Sequence, residues 1–239
     1  MEGNIQIANA EDEEPSSREY NEGNRILDEC RISCGPLLQA AMKGDWEAAN
    51  AFLNEHPNCV QLPITMEKAT VLHSAAAAKH ANFVEEVLKW MTPGDLELKT
   101  IDGDTALHVA AQTGEVKIAK EMVEKNNELP LIHNDKGMIP LHAAAYKRDR
   151  KMVDFLFSDS VTPFQRLITP QRIELLLHIV SAGFYDIALE ILEKDPSLAT
   201  ANTADGACGR RALEELARKS FAISSKSELS SWKKRLNSC

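Results

Sequence analysis

The sequence repeats itself with a period of about 35 residues, and this period restricts the possible folds more than any other feature. Leucines in the same local context give steps of 35, 35, 34, 35 and 37 residues. Self-similarity at periods of about 20 to 50 residues indicates stacked units that bury their apolar faces against their neighbours. The sequence therefore predicts a stack of repeats. The repeated leucines are Leu37, Leu72, Leu107, Leu141, Leu176 and Leu213.

Each repeat reads as two short helices and a tight turn, and residues 102–123 show the pattern most clearly. Asp102 and Gly103 form the expected turn, Thr105 caps the first helix, and Gly114 ends it in a left-handed conformation. Apolar residues of the second helix recur at mixed spacings of three and four, as in a helix with one buried stripe. The predicted fold class is an all-α solenoid of stacked helix-turn-helix units with short β-turn or hairpin connections.

The same plan recurs along the chain and divides it into three parts. We expect first helices at 36–43, 70–78, 139–147 and 174–182, and second helices at 46–54, 82–90, 151–157 and 185–193. A partial sixth repeat begins near Asp205 without a good second helix. The predicted repeat domain covers 34–219, between a disordered acidic arm at 1–33 and a Ser-rich basic tail at 220–239. The arm has too few large apolar residues to offset the entropy of folding.

The net charge of −9 argues against nucleic acid as a partner. Residues 1–35 hold nine acidic side chains and three arginines, so the rest of the chain carries only −3. The apolar runs fall far short of the ~20 residues of a membrane span, and the first residues are too polar for a cleavable signal. We therefore expect no integral membrane segment and a cytoplasmic location, with plasma-membrane contact only through partners.

The five cysteines, an odd number at scattered positions, do not predict a disulfide framework. Cys30 and Cys34 form the only close pair, and no second cysteine or histidine pair lies at the spacing of a zinc finger. We therefore expect a reducing compartment and no zinc site.

The segment Asp102-Gly-Asp-Thr-Ala-Leu-His-Val-Ala-Ala-Gln-Thr-Gly114 closely resembles an ankyrin repeat. Four further stretches are similar to a plant group of ankyrin proteins whose repeats usually precede a C-terminal membrane domain with a Pro-Gly-Gly motif. They are Ala41-Met-Lys-Gly-Asp-Trp46, Met91-Thr-Pro-Gly-Asp-Leu-Glu-Leu-Lys-Thr100, Lys125-Asn-Asn-Glu-Leu-Pro130 and Lys136-Gly-Met-Ile-Pro-Leu-His142. This resemblance spans about residues 36–232 and implies a signalling protein of plant defence or stress responses.

The sequence ends at Cys239, where the linker to the membrane helices of that plant group would begin. Membrane anchoring is therefore not expected, and two hypotheses about function stand. The leading one is a cytosolic scaffold or adaptor that binds a protein segment on the concave face of the stack. The alternative is a truncated regulatory form that associates with membrane-anchored ankyrin relatives through repeat stacking.

Three histidines occupy the same position in successive repeats, His73, His108 and His142. The resemblance implies that this histidine ties the turn of one unit to the backbone of the next. Helical layers about 8 to 10 Å apart also hold such rings too far apart for joint metal ligation at ~2 Å. Since no nucleophile–base arrangement or phosphate-binding loop appears either, we expect no enzyme, catalytic residue, cofactor or small-molecule substrate.

The candidate protein-binding surface consists of turn residues and first-helix ends, which line the concave face in this architecture. The basic cluster Tyr146-Lys-Arg-Asp-Arg-Lys151 stands where other repeats have a short polar turn. A solvated turn is one interpretation, but an aromatic side chain beside long cations is also typical of binding hot spots. The predicted strip comprises Glu67, Lys68, Asp102, Asp104, Gln112, Thr113, Lys136, Met138, Tyr146, Lys147 and Ser181.

Overall fold

The computed structural model describes residues 33–201, which form an all-α stack of five helix pairs without a strand. The first helices are α1 (Gly35–Lys43), α3 (Val71–Ala77), α5 (Ala106–Thr113), α7 (Pro140–Lys147) and α9 (Thr169–Ala182). The second helices are α2 (Trp46–Glu55), α4 (Ala81–Trp90), α6 (Val116–Lys125), α8 (Arg150–Phe157) and α10 (Tyr185–Lys194). The predicted fold class is confirmed. Only α9 departs from its predicted bounds by more than about two residues.

The first helices form one continuous layer, in which α1 packs on α3, α3 on α5, α5 on α7 and α7 on α9. The repeated leucine of each described repeat is at most 1% exposed. The second helices form an outer layer, where α4 contacts α6 and α6 contacts α8. Each repeat therefore buries its apolar face against its neighbours, as the period of the sequence predicted.

A short turn precedes the first helix in the second, third and fourth repeats, and we call these turns the fingers (65–70, 100–105 and 134–139). A side-chain oxygen closes each finger by accepting a hydrogen bond from the backbone N–H four residues later. The donor-to-acceptor distances are 3.1 Å from Ala69 to Thr65, 3.2 Å from Asp104 to Thr100 and 3.0 Å from Met138 to Asn134.

The backbone joins adjacent fingers to one another. The Ile101 N–H donates to the Glu67 carbonyl at 2.8 Å, and the Asp135 N–H donates to the Asp102 carbonyl at 3.2 Å. One residue of each finger adopts a left-handed conformation, with φ of 58° at Lys68, 77° at Gly103 and 73° at Gly137. The fingers therefore form a ladder along one edge of the stack.

The fifth repeat has no finger, because α9 begins five residues earlier than the sequence predicted. Pro170 stands where Ile101 and Asp135 stand in earlier repeats, and it has no N–H to donate to the preceding finger. Proline also suits the first turn of a helix, and Pro170 lies there in α9. Arg172 takes the place of the left-handed residue and is helical. The ladder thus ends at the fourth repeat.

Replacing Gly103 with alanine is expected to destabilise the protein by about 2 to 3 kcal/mol, because a left-handed residue with a Cβ costs about 1 to 2 kcal/mol before any clash. A Cβ at Gly103 would also lie 2.5 Å from the backbone nitrogen of Asp135, in the next finger. The matched control is Gly137→Ala, since no atom lies within 4 Å of a Cβ built there. Chemical denaturation should give the Gly137 variant the smaller loss, and equal losses would contradict the ladder.

Two cysteines form a disulfide within the first repeat. Cys34 precedes α1 and Cys59 lies in the 3₁₀ turn Pro57–Val60 that follows α2, with Cα atoms 6.0 Å apart. The cysteine count did not predict this bond, and the expected reducing compartment loses the support that it took from the cysteine pattern. The two partners are 25 residues apart in the sequence, and only the return of the chain after α2 brings them together.

Several sequence predictions concern residues outside 33–201. They are the acidic arm, the partial sixth repeat, the basic tail, and Cys30, Cys208 and Cys239. They stay predictions. Within the described range, no helix combines the length and apolarity needed to cross a membrane.

Candidate functional site

A column of histidines links successive repeats at the start of the first helices. In the second repeat, His73 Nδ1 accepts from the Thr70 N–H at 3.2 Å, and in the third, His108 Nδ1 accepts from the Thr105 N–H at 3.1 Å. Because Nδ1 is the acceptor, the proton of the neutral ring lies on Nε2. His73 Nε2 donates to the Asp104 carbonyl at 3.1 Å.

His108 repeats this link one unit further along, since its Nε2 donates to the Met138 carbonyl at 2.9 Å. Each histidine therefore caps its own helix and holds the finger of the next repeat. The structural role expected for His73 and His108 is confirmed.

His142 makes only the first of these two hydrogen bonds. Its Nδ1 accepts from the Ile139 N–H at 3.2 Å, but Nε2 is buried and has no hydrogen-bond partner among residues 33–201. The corresponding carbonyl of the fifth repeat belongs to Ile173, inside α9, where carbonyls bond to N–H groups of the same helix. The expectation that His142 ties down the next turn was wrong, because the next turn is helix.

The His178 ring packs against the His142 ring. The two ring centroids are 5.2 Å apart and nearly perpendicular. His178 Nδ1 donates to the Glu174 carbonyl of its own helix at 2.8 Å. One histidine therefore covers another at the junction of the fourth and fifth repeats.

Burial keeps the histidine column neutral. It lowers the pKa of His73 to about 4, although the hydrogen bond to the Asp104 carbonyl opposes this shift. Burial, assisted by the charge of His178, lowers the pKa of His142 to about 3. The pKa of His108 is lowered as well, again mainly by burial. All three rings are therefore neutral hydrogen-bond donors at neutral pH.

A pocket of about 410 Å³ opens beside His142 and His178, between the fingers and the ends of α5 and α7. Six members of the predicted strip line it: Asp104, Gln112, Lys136, Met138, Tyr146 and Lys147. Sequence reasoning missed the other lining residues, His108, Asn134, His142, Ala143 and His178, as binding candidates. The ankyrin resemblance marked the three column histidines as structural. In the fifth repeat, His178 lies one position later than the column histidines do, and this shift is a sign of irregularity.

In this pocket the carboxylate has hydrogen-bond donors, whereas the two lysines have no acidic partner among the described residues. The Asp104 carboxylate accepts from the side-chain amides of Asn134 at 2.8 Å and Gln112 at 3.1 Å. Lys136 and Lys147 are exposed, and no carboxylate among residues 33–201 lies within 4 Å of either ammonium group. The Lys147 ammonium lies 5.9 Å from the Tyr146 ring centroid. Two lysines without a carboxylate within 4 Å among the described residues therefore line the same pocket as Tyr146.

The remaining members of the predicted strip lie outside this pocket. Glu67 and Asp102 contribute backbone carbonyls to the finger ladder, and Lys68 holds a finger's left-handed position. The Thr113 hydroxyl donates to the Ala110 carbonyl at 3.1 Å, and the Ser181 carbonyl accepts from Arg148 at 3.5 Å. The structure thus gives these five residues structural contacts of their own.

The exposed large apolar side chains of the described residues all lie on the side of the fingers and first helices. None of them belongs to a second helix. Tyr146 is the most exposed, at 77%. The others are Met42, Met66, Ile101 and Ile168.

Charged side chains of the outer layer instead pair between repeats. Lys117 bonds Glu85 at 3.5 Å, and Arg150 bonds Asp186 at 2.7 Å. In the part of the chain that the structure describes, no group of three or more His, Cys, Asp or Glu side chains could hold a metal ion.

Stacked helix pairs with turns aligned along one edge define a class of repeat proteins that act as protein-interaction modules and are typically non-enzymatic scaffolds. The family model for ankyrin repeats in three copies matches residues 37–128 and 85–166, together more than half of the sequence. The chain belongs to the ankyrin-repeat family.

Partial relatives occur among mammalian proteins. The chain is 30% identical over 117 residues to Inversin of Canis lupus familiaris, a match that covers 49% of this chain and 10% of that protein. It is 29% identical over 117 residues to Inversin of Mus musculus, which covers 49% of this chain and 11% of that protein. The chain thus spans about a tenth of the length of these relatives.

Proposed function

We propose that this chain is an adaptor that binds a protein segment along the predicted strip. The observation that carries the proposal is the exposure of Tyr146 beside Lys147, on the edge where the other exposed apolar side chains also lie. Aromatic and long cationic side chains dominate the binding energy of protein interfaces. The outer layer offers less, because several of its charges pair across repeats and no exposed large apolar side chain of the described residues lies on a second helix.

The cellular setting is a further part of this proposal. The resemblance of four sequence stretches to the plant ankyrin group supports a role in defence or stress signalling on the cytosolic side. Association with membrane-anchored relatives is the competing function. Affinity purification with mass spectrometry separates the two, because the competing function requires full-length ankyrin relatives to dominate the captured proteins.

The double change Tyr146→Ala with Lys147→Glu is expected to weaken partner binding by at least ~2 kcal/mol, because it removes an aromatic anchor and reverses a charge. Helicity should not change, since both side chains are exposed. The measurement is a titration of the captured partner, with circular dichroism of each variant.

The control is Lys120→Glu, on the outer helix α6. The Lys120 ammonium lies 5.8 Å from the Phe155 ring centroid, a contact whose loss costs roughly 0.5 to 1 kcal/mol at an exposed site. This variant should fold and bind as the unmodified protein does. Binding that is lost in the control but kept in the double variant would place the partner on the outer layer instead.

A further inference from the structure

The pocket beside His142 exists because the fifth repeat lacks a finger. In the second and third repeats, a carbonyl of the next finger accepts the hydrogen bond from histidine Nε2. In the fourth repeat, the donor is present and buried but has no partner in the described part of the chain, and the ring carrying it is only 1% exposed. Buried donors without partners are rare in folded proteins and call for an explanation. By comparison with His73 and His108, the acceptor that His142 lacks is a carbonyl oxygen.

The same pocket also favours a ligand with negative charge. Asp104, the one acidic side chain among the described residues that line it, accepts hydrogen bonds from two amide donors. Its two lysines, Lys136 and Lys147, have no acidic partner among the described residues, although the whole chain carries −9. A local excess of positive charge on an acidic protein selects an acidic ligand and repels basic ones.

We propose that this pocket binds an acidic, extended peptide segment of a partner protein, which takes the place of the absent fifth finger. A backbone carbonyl of the segment accepts from His142 Nε2, as Asp104 and Met138 do for the preceding histidines. Acidic side chains of the segment lie against Lys136 and Lys147, and Tyr146 packs over its apolar part. This inference rests on the proposed function, because it names the kind of segment that the predicted strip recognises.

Access to His142 requires one local movement. Nε2 has almost no exposed surface, and the half-buried His178 ring stands at right angles to the His142 ring in the same pocket. Rotation of His178 away from His142 breaks a single hydrogen bond, to the Glu174 carbonyl of its own helix. The arriving carbonyl gives His142 the hydrogen bond it lacks, so binding exchanges one bond for another and adds the lysine contacts.

A library of random twelve-residue peptides, selected on the immobilised full chain, tests the proposal without a known partner. Enriched peptides should carry several Asp or Glu residues and no net positive charge. A synthetic copy of the most enriched peptide should bind at least about tenfold more weakly to the variant Lys136→Glu with Lys147→Glu, because like charges oppose binding. The matched control, Lys120→Glu with Lys151→Glu, makes the same charge change on outer helices α6 and α8 and should stay within about twofold of the unmodified protein.

The imidazole ¹⁵N and ¹H signals of His142 give a second readout. They should report a proton on Nε2 in the free protein, and both should shift when the peptide is added, because the Nε2 proton gains an acceptor. Binding without any change at His142 would overturn the proposed docking mode. So would peptides that are neutral or basic, or peptides that bind the lysine variant as tightly as the unmodified protein.

The outcomes separate this inference from the proposed function. If no peptide is enriched, or the enriched peptides are not acidic, while Tyr146→Ala with Lys147→Glu still weakens the captured partner, the inference fails and the adaptor function stands. If neither peptides nor captured partner respond to changes in the predicted strip, both fail.

Discussion

The free energy of unfolding should fall by roughly 4 kcal/mol between pH 7.5 and pH 5, owing to His73 and His142 alone. Both rings are buried and neutral in the folded protein, with pKa values of about 4 and about 3. In the unfolded chain the pKa of both rings returns to near 6.5. Below that pH the unfolded state therefore binds protons that the folded state does not bind. The stabilisation is fully present above pH 6.5 and is lost as the pH falls towards the folded pKa values. The lowered pKa of His108 reduces the free energy of unfolding at low pH in the same direction.

Urea denaturation at a series of pH values measures this effect, and the slope against pH gives the number of protons taken up on unfolding. Repeating the series in 1 M NaCl is the control, because salt screens surface charges but hardly affects a buried ring. The slope should survive the salt. A free energy that stays level from pH 6.5 to 5 would mean that the histidine column is not buried as described.

Leu107→Ala should destabilise the protein by ~2 to 5 kcal/mol, through lost apolar contacts and the cavity left behind. Leu107 is fully buried in α5, which packs between α3 and α7. The cavity would therefore open at an interface that two repeats share, where neither neighbour can collapse into it without leaving the other. The midpoint of urea unfolding, followed by circular dichroism at the helical minimum, measures the loss.

Ile101→Ala provides the comparison, since this side chain is 60% exposed in a finger. Exposed substitutions of this kind usually change stability by no more than about 0.5 kcal/mol. Comparable losses from the two changes would show that the repeated leucine does not form the core between repeats.

Most of the fold could be predicted because the repeat period fixes both the helices and their burial. The leucine period predicted both α-helices of each described repeat, although α9 begins five residues earlier than expected. The ankyrin resemblance implied a link from His73 and His108 to the next repeat, which their hydrogen bonds to Asp104 and Met138 bear out. These features depend on residues near one another in the sequence or one period apart. Pattern reasoning detects such relations directly.

The irregular features escaped prediction because each depends on what a neighbouring repeat lacks. Pro170 and Arg172 carry the signal for a missing finger, but a proline and a cation read equally well as ordinary turn residues. Unless the loss of the fifth finger is known, the sequence does not indicate that the Nε2 proton of His142 lacks an acceptor. The binding role of the predicted strip remains a proposal. The pocket in this strip could not be predicted from the sequence, because it exists where the fifth repeat lacks a finger.

The end of the finger ladder at the fourth repeat also affects how the array unfolds. In a linear array, cooperativity depends on the coupling between adjacent units. The junction of repeats four and five lacks the finger-to-finger and histidine-to-carbonyl hydrogen bonds of the two preceding junctions. It keeps the packing of α7 against α9 and exposed contacts such as the Arg150–Asp186 ion pair. Weak coupling favours sub-global opening, in which one unit exchanges its amide protons while the others stay closed. The fifth repeat would thus behave as a semi-independent foldon, and a ligand that bridges the junction would extend cooperativity across it.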